Sequence, residues 1–366
     1  MKFSVNRELF LRPLQQVAGV VERRQTLPVL ANLLLRINEN HLSMTGTDLE
    51  VELIGKVDVA NAESGEITVP ARKLLDICRE LPEKADIQFI LADGRLEIRS
   101  GRFRSTLSTL PANDFPSVDH SDPDLSAALD SKSFKRLLDK TAFAMAQQDV
   151  RYFLNGMLLE IRDGHVRSVA TDGHRLALGD LHLETTLDFA KQVILPRKGV
   201  IEIQRLLQEL DGEVSVSVGA THLCASSEMF TLTTKLVDGK FPDYERVIPR
   251  DGDKVVIADK QELRQALSRT AILSNEKFRG IRVALSAGQL QLSANNPEQE
   301  EAEEIVSVDY EGESLEVGFN VTYLQDVLSV IDDVQVRITL HDSNSSAVIE
   351  DPAHEDATYV VMPMKL

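Results

Sequence analysis

One unit of about 124 residues occurs three times in this chain, and this repeat restricts the possible folds more than any other feature. Three segments start as short alternating strands and end in a polar pair: HLSMTGTDLEV (41–51), HVRSVATDGHR (165–175) and QLQLSANNPEQ (289–299). The first residues of the pairs, Thr47, Thr171 and Asn295, are 124 residues apart each time. Because a fixed period marks a repeated structural unit, we expect three copies of one domain.

Further elements recur in the same register. The end of a strand is followed by apolar residues at helical spacing in VPARKLLDICREL (69–81), LPRKGVIEIQRLL (195–207) and FNVTYLQDVLSVI (319–331). Near the close of each copy stand Leu110, Leu236 and Met362, which are 126 residues apart. Because several elements recur at nearly the same spacing, the sequence indicates duplication of a whole domain.

Each copy also opens with an amphipathic segment, and these segments predict a first helix over 6–21, 131–146 and 260–275. Pro13 should break or kink the first of them, because proline lacks the N–H that a helix interior uses. The predicted unit is therefore helix, strands, helix, strands. We expect an α+β fold in which two helices pack on antiparallel sheets, with domains at 1–124, 125–253 and 254–366.

Charge is unevenly distributed along the chain. The net charge of −18 alone argues against DNA binding, since phosphate contacts need Lys and Arg. Yet five of the six predicted helices carry basic residues, whereas acid is concentrated at 298–304. If such helices lined a ring, the hole would be positive and would attract phosphates without reading sequence. For any single Lys or Arg, the simpler explanation is that it lies on a solvent-exposed face of its helix.

Two patches of opposite charge suggest how copies of the chain would meet. Four arginines crowd the end of the first copy: Arg95, Arg99, Arg102 and Arg104. Five glutamates cluster in the third copy: Glu298, Glu300, Glu301, Glu303 and Glu304. Docking of the first domain on the third domain of a partner, twice, would close a ring of six domains. We expect Leu107, Ile272 and Leu273 to be the apolar anchors.

Other classes of protein find little support in the sequence. No apolar run approaches the length of a membrane span, and the N-terminal MKFSVNRELF lacks the pattern of a signal peptide, which predicts a cytoplasmic protein. Cys78 and Cys224 have neither disulfide nor metal-ligand spacing and fit small buried hydrophobic residues. We therefore expect no metal and no cofactor.

Over its whole length the chain resembles the β subunits of bacterial DNA polymerase III, the sliding clamps. The segments that carry this resemblance are TLPVLANLLL (26–35), DVRYFLNGM (149–157), ATDGHRLA (170–177), LPRKGVIE (195–202), KLVDGKFPDY (235–244), AILSNEKFRG (271–280), ANNPEQEEAEEI (294–305), GFNVTY (318–323) and YVVMPMKL (359–366). The resemblance implies a head-to-tail homodimer that encircles duplex DNA and tethers the polymerase, so that a dissociated enzyme rebinds intramolecularly. Its implied partners are the polymerase III catalytic subunit, a clamp loader, and other polymerases and repair proteins.

The resemblance also implies one groove for short peptide motifs, which typically carry a Gln and a Leu-Phe pair. At matching positions its wall would comprise Leu154, Thr171, Gly173, His174, Arg175, Leu176, Pro242, Val247, Val360, Met362, Pro363 and Met364. Methionine is adaptable and suits a groove with many ligands. Without the resemblance, the final VVMPM segment reads more simply as a strand of the core.

For DNA contact, the resemblance points to eight residues: Arg23, Arg24, Arg72, Lys73, Gln148, Tyr152, Arg197 and Lys198. Two positions depart from the family pattern. Phe153 stands where tyrosine is common, and phenylalanine cannot donate a hydrogen bond to DNA. Lys365 replaces a frequent arginine, which keeps the charge and loses the forked geometry.

Two other functions compete with a clamp. Asp172, His174 and Arg175 follow a strand and could imitate an acid–base site, but Asp172 matches Asp48 and Asn296 in the other copies, so a structural role is favoured. Neither a phosphate-binding loop nor a nucleophile elbow is present in the sequence. The second alternative is a protein–protein scaffold without DNA in its hole, which retention on circular and linear DNA would distinguish.

Overall fold

The computed structural model describes residues 1–22, 27–116, 118, 123, 125–162, 164–183 and 190–365. Residues 1–132 and 201–236 form one compact unit, and residues 133–200 and 237–366 form a second; we call them unit 1 and unit 2. Among the described residues, no helix is both long enough and apolar enough to cross a membrane.

Six α-helices lie in these ranges, two in each copy of the repeat. They are α1 (Arg7–Val20), α2 (Ala71–Glu80), α3 (Ser131–Asp139), α4 (Arg197–Gln208), α5 (Lys260–Thr270) and α6 (Val321–Val330). Each follows directly on a strand. The side chains of Asn6, Asp259 and Asn320 cap three of them by accepting a hydrogen bond from a backbone N–H of the first turn.

The helices differ from the sequence prediction in two ways. Each copy begins with a strand, and the first helix follows it. The predicted helices over 131–146 and 260–275 end early, at Asp139 and Thr270, and a short 3-10 helix comes after each. At the second site the Ala271 N–H bonds to the carbonyls of Leu267 and Arg269, which tightens the last turn.

Helix α1 runs through Pro13. Of the two outcomes predicted for this proline, a break or a kink, the break is therefore wrong. Proline at this position cannot donate a hydrogen bond to the Leu9 carbonyl. Pro13 itself is buried.

The described ranges contain twenty-five strands. In chain order they are β1 (Lys2–Asn6), β2 (Asn32–Asn38), β3 (His41–Thr47), β4 (Val51–Asp58), β5 (Ala60–Glu63), β6 (Gly65–Pro70), β7 (Asp86–Ala92), β8 (Arg95–Ser100), β9 (Phe103–Ser108), β10 (Leu125–Asp130), β11 (Gly156–Arg162), β12 (His165–Thr171), β13 (Arg175–His182), β14 (Lys191–Pro196), β15 (Glu213–Val218), β16 (His222–Ser226), β17 (Phe230–Lys235), β18 (Lys254–Asp259), β19 (Gly280–Ser286), β20 (Gln289–Asn295), β21 (Glu301–Asp309), β22 (Leu315–Asn320), β23 (Gln335–Leu340), β24 (Ala347–Asp351) and β25 (His354–Val361).

Unit 1 contains two antiparallel sheets. The first has five strands in the order β5-β1-β7-β8-β9, and β9 forms one edge. The second has eight strands in the order β10-β15-β16-β17-β4-β3-β2-β6. Pairing of β17 with β4, for example Leu232 opposite Leu53, joins strands of the second copy to strands of the first. Neighbouring copies therefore share a continuous sheet.

Unit 2 contains one twelve-stranded antiparallel sheet, in the order β14-β11-β12-β13-β25-β24-β23-β18-β21-β20-β19-β22. Pairing of β13 with β25, with Leu176 opposite Val360, joins the second copy to the third. The link between β18 and β21 consists of only two residue pairs at the end of β21. Most of β21 therefore pairs with a strand on one side only.

A turn closed by a polar side chain follows the equivalent strand in all three copies and confirms the repeat. The first two turns have the same hydrogen bonds, and the third is longer. The Asp48 carboxylate accepts the N–H groups of Glu50 and Val51. In the second copy, Asp172 accepts those of His174 and Arg175, and in the third Asn296 accepts that of Glu300. In each turn one residue has a positive φ: Leu49, Gly173 and Gln299. The polar pair seen in the sequence closes this turn.

Both cysteines are free thiols. Cys78 is fully buried in α2, and burial raises the pKa of its thiol to about 12. Cys224 is half-buried in β16, where burial also raises its pKa. A thiol with a raised pKa holds little thiolate at neutral pH, so both residues are unreactive packing groups.

Candidate functional site

A cleft of about 370 Å³ lies in unit 2, where the turn after β12, the end of β25 and two short 3-10 helices meet. Nine of the twelve residues predicted for the groove line it: Leu154, Thr171, Gly173, Arg175, Leu176, Pro242, Val247, Val360 and Met362. Four residues that the sequence did not indicate complete the wall: Arg151, Asp243, Tyr244 and Ser346.

The cleft has an apolar floor and an apolar rim. Leu154, Leu176 and Val360 are at most 3% exposed and form the floor. At the rim, Val247 and Met362 are 54% and 47% exposed. Exposed apolar residues around a preformed apolar depression are typical of a site that takes one or two side chains of a ligand.

Three structural elements hold this floor and rim in place. The β13–β25 pairing sets Leu176 opposite Val360, and the 3-10 helix Tyr244–Val247 supplies Val247. The turn needs glycine at position 173, where φ is +88°. A Cβ there would also lie 3.0 Å from Nη2 of Arg151, so that side chain would have to shift.

The other three predicted groove residues, His174, Pro363 and Met364, lie next to lining residues of this cleft, and their part in the groove stays a prediction. His174 is exposed, and its ring stacks on Tyr323 with the centroids 6.4 Å apart. Its carbonyl accepts the Met362 N–H at 2.9 Å. The Met364 N–H donates to the Gly318 carbonyl at 2.7 Å, so the backbone after β25 is bound to β22.

A buried polar network lies behind the cleft wall. The Tyr244 hydroxyl donates to Oε2 of Glu160 at 3.0 Å and accepts from Arg167 at 3.3 Å. Arg167 also forms a two-bonded ion pair with Asp180. Glu160 is 2% exposed, and burial raises the pKa of Tyr244. Because a buried carboxylate needs donors, this network fixes the 3-10 helix that carries Val247.

Asp172 does not have the geometry of a catalytic acid or base. One carboxylate oxygen accepts two backbone N–H groups of its own turn, and the other accepts Nε of Arg175 at 3.2 Å. The structural role that the repeat indicated for Asp172 is the one that the structure shows. No group of three or more potential metal ligands occurs among the described residues.

The residues predicted to contact DNA differ in exposure. Arg72 and Lys73, in the first turn of α2, are exposed, and within the described ranges neither forms an ion pair. Gln148 and Tyr152 are exposed in unit 2, where Gln148 has a φ of +59°. The remaining four are Arg197 and Lys198, which are half-buried, and Arg23 and Arg24, which lie outside the described residues.

Many other helix cations serve the fold. Arg7 is 14% exposed and donates to the carbonyls of Cys78 and Arg79, so it joins α1 to the end of α2. Lys140 is 6% exposed and pairs with Asp356 at 2.7 Å. Arg205 bonds to Gln16 and Glu202. The free basic surface is therefore smaller than the count of basic residues implies.

Three protein-family models together cover nearly the whole chain. They describe the N-terminal, central and C-terminal domains of the DNA polymerase III beta subunit and match residues 1–119, 128–243 and 245–365. The chain belongs to the DNA polymerase III beta subunit family. As a member of this family it is a processivity clamp of DNA replication and not an enzyme.

Individual relatives agree over their full length. The beta sliding clamps of Pseudomonas putida and Escherichia coli K12 are 59% and 52% identical, with complete coverage of both chains. A crystal structure of the Pseudomonas aeruginosa sliding clamp with ligand superposes with a TM-score of 0.98 at 58% identity. Another, of a P. aeruginosa DnaN sliding clamp bound to griselimycin, gives 0.98 at 59% identity, again over all of both chains.

Two strand edges carry the charges predicted for contact between copies of the clamp. Strand β9 pairs only with β8, and Arg99 and Arg104 both bind Glu97 there. Arg95 and Arg102 are exposed beside them. On β21 and the turn before it, Glu298, Glu300 and Glu301 are exposed, whereas Glu304 already pairs with Arg269 of α5.

Of the three predicted apolar anchors, Leu107 must be corrected. It is 6% exposed, and it lies opposite Leu96 on the inner face of its own sheet, so it offers no surface to a partner. Ile272 is 75% exposed and Leu273 is half-buried. The structure adds two exposed apolar residues on these edges that the sequence did not single out: Phe103 of β9 and Ile305 of β21.

Proposed function

We propose that two copies of this clamp join head to tail into a closed ring of six domains around duplex DNA, in the cytoplasm. The ring slides because it holds the duplex topologically, and it keeps the polymerase III catalytic subunit at the primer end. The three domains are assigned to 1–124, 125–253 and 254–366. The observation that carries the proposal is the threefold repeat with one open strand edge in the first copy and another in the third.

Complementary edges support the head-to-tail contact. Unpaired β-strand edges readily pair with another chain. Exposed Arg95 on β8 and exposed Arg102 in the turn before β9 lie at the first edge with Phe103 of β9, and β21 has exposed Glu301 with Ile305. Opposite charges set the register of the two strands, and the apolar side chains provide buried area. The residues proposed for the contact are Arg95, Arg102, Arg104, Ile272, Leu273, Glu298, Glu300, Glu301 and Glu304, with Phe103 and Ile305 added and Leu107 removed.

Contact with DNA is assigned to phosphate-binding cations. The exposed pair Arg72 and Lys73 carries this assignment best, because both side chains are free to reach a phosphate. The other residues proposed for DNA contact are Arg23, Arg24, Gln148, Tyr152, Arg197 and Lys198. Phosphate contacts carry no sequence information, which suits a sliding ring.

The cleft in unit 2 is proposed to bind the short peptide motifs of clamp partners. These partners are the polymerase III catalytic subunit, the clamp loader, and other polymerases and repair proteins. The apolar floor at Leu154, Leu176 and Val360 fits the Leu-Phe pair of such a motif. Met362 at the rim adapts to side chains of different shape.

Retention on DNA tests the ring. After a clamp loader has placed the protein on nicked circular DNA, the clamp should remain through gel filtration in high salt, since exposed phosphate contacts are screened but the ring is not broken. After the same DNA is cut once, the clamp should slide off the ends. Equal loss from the circular and the linear form would disprove topological binding.

Substitution of Met362 tests the cleft. Met362→Ala should weaken binding of a fluorescein-labelled peptide with a Gln and a Leu-Phe pair by more than tenfold, because a rim contact of about 1.5–3 kcal/mol is lost. Griselimycin, to which the P. aeruginosa relative is bound, should lose affinity in parallel. Fluorescence anisotropy measures both. Exposed Met229, 38% accessible in unit 1, supplies the control Met229→Ala, which should bind normally. Unchanged peptide affinity of Met362→Ala would refute the assignment.

A further inference from the structure

Arg175 lines the cleft, yet its side chain is only 11% exposed. Three of its five N–H groups are bound within the protein. Nε donates to Asp172, Nη1 donates to Asp326, and Nη2 donates to the Phe143 carbonyl at 2.9 Å. The guanidinium also contacts two aromatic rings, with Cζ 5.2 Å from the Phe143 ring centre and 4.5 Å from that of Tyr323.

The groups around Arg175 come from both copies of the repeat that unit 2 contains. Phe143 and Asp172 belong to the second copy, whereas Tyr323 and Asp326 lie on α6 of the third copy. Neither Tyr323 nor Asp326 lines the cleft. A guanidinium that is stacked and paired in this way has little freedom, so it ties β13 to α6.

The position of Arg175 determines the position of the cleft floor. Leu176, the next residue, is part of the floor and lies opposite Val360 of β25. His174, the preceding residue, holds the rim residue Met362 through its carbonyl. A shift of Arg175 would therefore move one floor residue and one rim residue together.

We infer that Arg175 is a positioning residue of the cleft, and that Asp326 acts on ligand affinity through it. This inference rests on the proposed peptide-binding function. It also implies a specificity: two carboxylates, Asp172 and Asp326, already neutralise the Arg175 charge, so the cleft does not select an acidic group of the ligand at this point.

Affinity for the labelled Gln and Leu-Phe peptide tests this role by fluorescence anisotropy. Asp326→Asn and Arg175→Gln should each weaken binding, roughly three- to tenfold, although Asp326 does not line the cleft. The double variant should bind no more weakly than Arg175→Gln alone, because both changes break one interaction.

A matched control separates positioning from general loosening of unit 2. Arg136 pairs with Asp332 at 2.7 Å and, like Arg175, joins the second copy to the third. Arg136→Gln should lower the melting temperature as Asp326→Asn does and leave peptide affinity unchanged. Unchanged affinity of Asp326→Asn, additive losses in the double variant, or an equal loss in Arg136→Gln would each overturn the inference. Failure of the proposed function looks different, because the unmodified clamp would then not bind the peptide.

Discussion

Tyr244 contributes its ring to the cleft wall and its hydroxyl to the buried network behind that wall. The hydroxyl donates to Glu160, a carboxylate that is 2% exposed and also pairs with Arg162 at 2.9 Å. A buried carboxylate that loses a donor is destabilised by more than the hydrogen bond itself contributes, because it cannot regain water. The geometry of the binding surface thus depends on a residue that no ligand would touch.

Removal of that hydroxyl should therefore be costly. Tyr244→Phe is expected to lower the free energy of unfolding by about 1–3 kcal/mol, since Glu160 loses a donor while the ring stays in place. Denaturation in urea, followed by circular dichroism, measures the change. Tyr152 is 57% exposed, and Tyr152→Phe should shift stability by less than about 0.5 kcal/mol. Equal stability of the two variants would contradict the proposed importance of the network.

At this scale the sequence could predict some roles and not others. The match of Asp172 with Asp48 and Asn296 correctly predicted a structural turn residue. Alternation along β9 could have placed Leu107 on the inner face, but the charges around it favoured an exposed position. Tyr244 was missed because its importance comes from Glu160, which is 84 residues away in the chain. Contacts between residues so far apart in the chain leave no periodic pattern in a single sequence.

The third copy contains an apolar cavity of about 30 Å³ between its helices and the sheet strands that they cover. Val256 of β18, Leu263 of α5 and Leu324 of α6 are among its lining residues. A void of this size is close to the volume of one methylene group. The atoms that line it lack contacts on one side, so the core of the third copy is packed less completely than it could be.

Filling the cavity should stabilise the third copy. Val256→Ile adds one methylene at a fully buried strand position and is expected to raise the free energy of unfolding by about 0.5–1 kcal/mol. Val255, its neighbour on the opposite face, is 47% exposed, so Val255→Ile should have little effect. Differential scanning calorimetry measures the melting temperatures of both variants and of the unmodified protein. A lower melting temperature for Val256→Ile would mean that the added group does not fit.

Helices were easier to predict than strands because their periodicity extends over more residues. The six helices have apolar positions at helical spacing, and all six are present. Strand β1 has only five residues, and its alternation over so short a stretch was not separable from the helix that follows. The early ends of α3 and α5 were likewise hidden, since apolar residues continue into the 3-10 helices that pack beside them.

For the molecule as a whole, the net charge of −18 opposes association of two copies unless local charges are complementary. Ile272 is 75% exposed and is the most accessible of the apolar residues proposed for the dimer contact. Ile272→Asp places a charge in that contact and should convert the dimer to a monomer in analytical ultracentrifugation. The monomer should also be lost from circular DNA.

A control variant comes from another exposed valine. Val334 is 70% exposed, and Val334→Asp should remain a dimer. If Ile272→Asp were also a dimer, the surface around Ile272 would be excluded from the interface.

The pairing of Leu176 with Val360 has a consequence for synthesis. These two floor residues are separated in the chain by the end of the second copy and nearly all of the third. During translation β13 is synthesised before β25, so β13 lacks this pairing partner until the intervening strands have been made. A nascent or prematurely released chain therefore has no complete cleft. Under the proposed function, unfinished clamps would therefore not sequester the protein partners of the cleft.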